Sequence, residues 1–167
     1  MLEYAFLLLF PASMAYAATS DLMTMTIPNR ISLLLLGGFL LAAPFAGLDW
    51  QAFGMHLAAG ALMLAVGIVL FALRVVGGGD AKLIAAVALW LGFEHLLPFL
   101  IVMAFVGGGL AILLLAYRRF VPADLAALSK WSERLYSPRT GIPYGVAIAA
   151  AGLWVYPKTP VFSAFLA

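Results

Sequence analysis

Six uninterrupted apolar runs, at about 2–19, 31–47, 52–73, 81–93, 95–117 and 142–156, fill most of the chain and leave only short polar breaks between them. Folding alone cannot keep so much apolar surface from water. Of the 167 residues, 66% are hydrophobic and 10% charged, against about 25% charged in an ordinary soluble domain. A bilayer must therefore be the solvent, and within it only helices or a closed barrel satisfy every backbone polar group. The runs are continuous rather than alternating, which predicts helices.

A spanning helix needs roughly 20 residues. The third and fifth runs reach that length, whereas the fourth and sixth are short and are expected to be buried in the bundle or to begin below the headgroups. If the six segments alternate in direction, the breaks at 20–30, 74–80 and 118–141 share one face. Arg30, Arg74, Lys82, Arg118, Arg119, Lys130, Arg134 and Arg139 fall on that face, and Lys158 alone falls on the other. Such an excess marks the cytoplasmic side. The expected fold is an all-α integral membrane protein, a six-helix transmembrane bundle with both termini on the outer face.

The first segment ends in Ala-Tyr-Ala and has some likeness to a secretory signal peptide. Such a peptide wants a basic start, and here Glu3 is present with no Lys or Arg before Arg30. Residues 1–167 read as one domain with no internal repeat. The polar stretch 118–141 carries Leu125, Leu128, Trp131 and Leu135 at helical spacing, which predicts an amphipathic helix on the cytoplasmic surface within 120–138. A net charge of +2 is too small to suggest nucleic acid, so lipid is the expected partner of this surface.

The chain has no cysteine, which excludes disulfides, thiolate metal sites and a thiol nucleophile. Topology then sorts the seven acidic residues. Glu3, Asp49 and Glu94 fall outside, and Asp124 and Glu133 belong to the amphipathic stretch. Asp21 and Asp80 remain, 59 positions apart yet both at the cytoplasmic boundary, where an ionisable group is a functional candidate. Two carboxyl groups about 3 Å apart share a proton. One can then take a proton from water while the other polarises a carbonyl. Such chemistry needs no cofactor or metal.

Asp80 follows Gly77, Gly78 and Gly79 and opens an apolar helix. The glycines allow positive φ and close approach of another chain, although a plain helix cap at Asp80 explains the same residues. Asp21 by itself reads equally as a capping or interfacial residue, with Pro28 and Asn29 marking the start of the second helix.

Taken together, the segment from Asp21 to Ile27-Pro28-Asn29, the run Gly77-Gly78-Gly79-Asp80-Ala81-Lys82-Leu83 and the run Ile142-Pro143-Tyr144-Gly145-Val146-Ala147-Ile148 resemble the short prepilin peptidases of the Tad/Flp pilus type. These are GxGD membrane aspartyl proteases of the bacterial inner membrane. The resemblance implies removal of a short basic leader from type IV prepilins, on the cytoplasmic side, just before the substrate's hydrophobic helix. It implies that Asp21 and Asp80 are catalytic, and that Gly77, Gly78, Gly79, Lys82, Pro143, Tyr144 and Gly145 shape the loop or bind substrate. Larger members carry a cysteine zinc domain associated with N-methylation. Its absence here implies a peptidase without that activity.

Two other functions compete. A presenilin-like GxGD protease would place a tyrosine before its first aspartate, where this chain has Ser20. A transporter or non-catalytic pilus-assembly subunit could use boundary aspartates for proton coupling or helix pairing. His56 and His95 are expected near the outer face as packing or interfacial residues, and Gly107, Gly108 and Gly109 as a helix-packing surface. Trp50, Trp90 and Trp154 are expected to be interfacial anchors.

Overall fold

The computed structural model describes residues 2–137 and 141–166, so Arg139 and the last position of the 120–138 stretch lie outside the described residues. Within them the chain is helical, with no strand. The elements are α1 (Leu2–Thr24), α2 (Asn29–Phe45), α3 (Trp50–Ala72), α4 (Gly78–Phe120), α5 (Ala123–Ala126), α6 (Lys130–Tyr136), α7 (Tyr144–Val155), a 3₁₀ turn (Tyr156–Lys158) and α8 (Pro160–Ala164). Of these, α1, α3 and α4 are long and apolar enough to cross a membrane, and α2 is a shorter apolar helix. Leu33, Leu41, Ile68, Phe105 and Ile112 point outward, as a lipid-facing surface requires.

α4 is two helices joined at Gly92, whose φ of 68° and ψ of 177° are not helical. The break answers to the short polar interval between the fourth and fifth apolar runs. A straight helix would hold Gly79 and Gly107 roughly 42 Å apart. Instead Gly79 packs on Ile27, Ile27 packs on Gly145, and the neighbouring Tyr144 packs on Gly107. This chain of contacts brings both glycines to one end of the bundle, so α4 folds back at Gly92. His56 lies against Gly92, and its Nδ1 donates to the Leu89 carbonyl at 2.8 Å, in the turn just before the break.

The first half of α4 is the centre of the molecule. Leu83 through Gly92 are all buried, which accounts for an apolar run too short to span alone. α3 packs antiparallel along it through small residues. A Cβ on Gly67 would come within 2.9 Å of the Ala81 Cβ, and Gly60 faces Ala85 and Leu89. On the other side, Lys82 reaches Asn29 and Trp90 reaches Leu35, so α2 runs parallel to this half. α1 runs antiparallel to both α2 and α7, with Phe6 on Phe45 and Phe10 beside Gly152.

Three expectations need correction. Trp90 is not an interfacial anchor: it is fully buried among Phe10, Phe39 and Tyr156, and its indole N–H donates to the Leu35 carbonyl at 2.9 Å. Such a partner is what lets an indole sit in a core. Trp50 and Trp154, by contrast, are exposed. The amphipathic stretch is two short helices rather than one, because Ser129 leaves helical geometry and caps α6 through its bond from the Trp131 amide. Leu135 of that stretch is buried, whereas Leu125 and Leu128 are exposed. Finally, of the three glycines at 107–109, only Gly107 meets a neighbour; Gly108 and Gly109 face open space.

Candidate active site

Asp21 lies inside α1, in its last full turn, and not beyond the first segment. The helix continues through Thr19 and Thr24 because their hydroxyls satisfy themselves on its own carbonyls. Thr19 Oγ1 donates to Ala15 O at 2.8 Å and Thr24 Oγ1 to Ser20 O at 2.7 Å, the back-bonding that lets these residues enter helices. The Met25 amide closes on the Asp21 carbonyl, and Met25 at φ 55° ends the helix. Ser20 Oγ then donates to Thr26 O at 2.9 Å. This bond folds the connection back and lays Ile27 across the end of the bundle before Pro28 caps α2.

Ile27 is the hub that the sequence reading missed. A Cβ on Gly79 would stand 3.2 Å from its Cβ, and a Cβ on Gly145 2.8 Å from its Cδ1. One side chain thus touches two of the glycine motifs while belonging to the third, and only glycine gives it room on both sides. A branched apolar residue between polar threonines and Pro28 was the available signal.

Asp21 is buried, 5% exposed as a residue. Its Oδ2 accepts the Gly145 amide at 2.7 Å. Gly145 is the second residue of α7, so this amide is one of the helix-start donors that lack a partner within the helix, at the positive end of its dipole. Pro143 is buried as the N-cap of α7, and Tyr144 packs its ring on Gly107. The motif around Gly145 therefore presents one backbone donor to Asp21.

Asp80 is half-buried, the third residue of α4, with Gly77 as N-cap. Its carboxylate turns back to the Gly77 amide, the reciprocal half of a capping box. Asp80 thus does cap the helix, and it also lies within electrostatic reach of Asp21. Gly78 packs on Phe71, and Lys82 turns away to donate to Asn29 Oδ1 at 2.9 Å. Of the residues singled out from sequence, Asp21, Asp80, Gly77, Gly79 and Gly145 gather at one point. Gly78, Lys82, Pro143 and Tyr144 form its surround.

A strap closes over the end of α1. Trp131 Nε1 donates to the Leu22 carbonyl and Arg134 Nη1 to the Met23 carbonyl, each at 2.9 Å. These belong to the last carbonyls of a helix, which have no partner within it and favour a cation. Arg118 in turn ties down the segment leading into α7, donating to the carbonyls of Leu135, Ser137 and Gly141. Among the described residues no three His, Cys, Asp or Glu side chains converge as a metal site.

Two carboxyls that feel each other's charge, each held by a backbone amide, can divide one proton between them where they come close enough to bind a common water. A profile described as the type IV leader peptidase family matches residues 8–112, a stretch that includes Asp21 and Asp80. No curated protein and no solved structure matches the chain.

Proposed function

The chain belongs to the type IV leader peptidase family, and on that premise we propose that it is an aspartyl endopeptidase that cuts the short basic leader from Flp-type prepilins. The family makes it a peptidase with a prepilin-like substrate in a membrane setting. The finer reading rests on one arrangement: Ile27 packs on Gly79, beside Asp80, and on Gly145, whose amide holds Asp21, so residues 59 positions apart in sequence share one end of the bundle.

In this reading the carboxylate of the pair takes a proton from the water between them. The oxygen attacks the peptide carbonyl as the protonated partner donates to the carbonyl oxygen. The tetrahedral adduct then returns a hydroxyl proton to the carboxyl that donated one and collapses, its C–N bond breaks, and the departing nitrogen takes the proton that the other carboxyl drew from the water. The Gly145 and Gly77 amides hold the carboxyls in place. The absence of cysteine favours cleavage without N-methylation.

The site would face the cytoplasm of a bacterial inner membrane, with six alternating spans and both ends of the chain outside. Support comes from the basic residues: seven of nine fall on the breaks at the carboxylate end, and Lys82 lies two residues past one of them. The test is substitution. Asp21→Asn and Asp80→Asn should each insert normally and fail to process a co-expressed prepilin, and normal cleavage by either variant would refute the assignment.

A further inference from the structure

The turn of α1 that carries Asp21 is finished by residues from outside that helix. Asp21 O takes the Met25 amide, but Leu22 O takes the Trp131 indole N–H and Met23 O an Arg134 N–H. Both outside donors sit on α6. That helix is also tied to the end of α4, where Tyr117 Oη and Ser132 Oγ share a hydrogen bond and Arg118 donates to Leu135 O. α6 is thus a bridge from α4 to the helix end beside Asp21.

The same strap turns apolar side chains and cations outward. Phe120, Leu125 and Leu128 are 77%, 57% and 81% exposed, and Arg119 and Lys130 are exposed with them. These apolar side chains prolong the outward surface that Phe105, Ile112, Leu113 and Leu115 give the second half of α4, so they meet the bilayer where α4 leaves it. Residues 118–141 hold five basic residues against two acidic ones, Asp124 and Glu133. That excess suits an anionic leaflet and repels a basic peptide, which selects lipid over the leader as the partner.

We propose that the strap docks on anionic lipid headgroups and that this docking holds the Asp21 turn of α1 in its working position. The inference rests on the peptidase reading above and makes lipid a regulator of that same site. Apolar side chains set beside cations are what seats a segment in an anionic interface. The residues turned to lipid are not those that grip α1, so headgroups do not compete for the Trp131 and Arg134 donors. With α6 in place their relative positions are already fixed, which spares the ordering that a released strap would need. Lipid therefore raises the population of the docked form.

The full-length protein would be placed in phosphatidylcholine bilayers with and without added phosphatidylglycerol. Deuterium exchange is read at the backbone amides of residues 22–26, and cleavage of prepilin is timed alongside. Phosphatidylglycerol should slow that exchange and raise the rate by about fivefold, the size of the loss expected when one strap donor is removed. High salt should reduce both effects. An anionic surface also gathers a basic substrate, so exchange decides rather than rate. Arg119→Gln with Lys130→Gln, and Leu125→Ser with Leu128→Ser, should each keep the rate seen in phosphatidylcholine and lose the slowed exchange. Exchange that stays the same or quickens with phosphatidylglycerol overturns the proposal, as does a full response in either double variant. Exchange needs no chemistry and is read equally well in Asp80→Asn. Continued cleavage by Asp21→Asn or Asp80→Asn would therefore sink the peptidase reading without altering the exchange pattern.

Discussion

The Gly145 amide and the Asp21 carboxylate meet at 2.7 Å, although 124 positions separate them in the chain. The bond joins the last turn of α1 to the first turn of α7. It leaves no space for a larger residue, since a Cβ at position 145 would lie 2.8 Å from Asp21 Oδ2 and 2.9 Å from Asp21 Cβ.

Gly145→Ala should therefore push the Asp21 carboxyl out of place while sparing the bulk of the core. A misplacement near 1 Å costs about a hundredfold in rate, so initial rates of prepilin cleavage should fall by one to two orders of magnitude, about ten- to a hundredfold. Membrane insertion should persist. Wild-type rates in the variant would show that Asp21 does not depend on this amide.

The strap from α6 should matter through the helix it caps. Trp131→Phe and Arg134→Ala each remove a donor from an α1 carbonyl, a loss of about 1 kcal/mol, or about fivefold. Cleavage should slow by that order, and amides around residues 22–26 should exchange with deuterium faster. Arg134→Lys keeps the cation at the helix end and should recover part of the rate. Unchanged exchange in both variants would contradict a capping role.

Trp90→Phe tests the core apart from the chemistry. It deletes the indole bond to Leu35 O within the cluster of Phe10, Phe39 and Tyr156, a stabilisation of about 1 kcal/mol. Thermal unfolding in detergent should shift down, with the cleavage rate per folded molecule unaltered.

A pair sharing one proton also dictates the shape of the pH profile. In acid both carboxyls are protonated and no base remains; in alkali both are ionised and no acid remains. The rate should fall on either side of an optimum. A flat profile, with chemistry shown to be rate-limiting, would exclude the shared-proton mechanism.

The apolar runs were enough to locate the main helices, and the parity of crossings put Asp21 and Asp80 at one end, because these readings depend only on length and spacing. Pro28 and Asn29 likewise marked the start of α2. The fate of Trp90 was hidden because an indole at the end of an apolar run suits an interface as well as a core, and only the distant Leu35 carbonyl decides. The break within 120–138 was hidden for a related reason. Leu125, Leu128, Trp131 and Leu135 keep helical spacing straight through Ser129, so periodicity cannot register the cap that splits the stretch. Nor could spacing reveal Ile27, whose contacts with Gly79 and Gly145 exist only after three remote segments assemble.

Because Asp80 ties off the start of α4 through the Gly77 amide, its carboxyl group serves architecture as well as the chemistry proposed for it. Alanine at this position would remove the proposed acid or base and loosen the glycine loop at once, so a silent alanine variant reports on two losses that cannot be separated. Asparagine retains an oxygen that can accept the Gly77 amide and withholds only the charge. The choice of replacement thus determines whether an inactive protein speaks about bond breaking or about the scaffold that surrounds it.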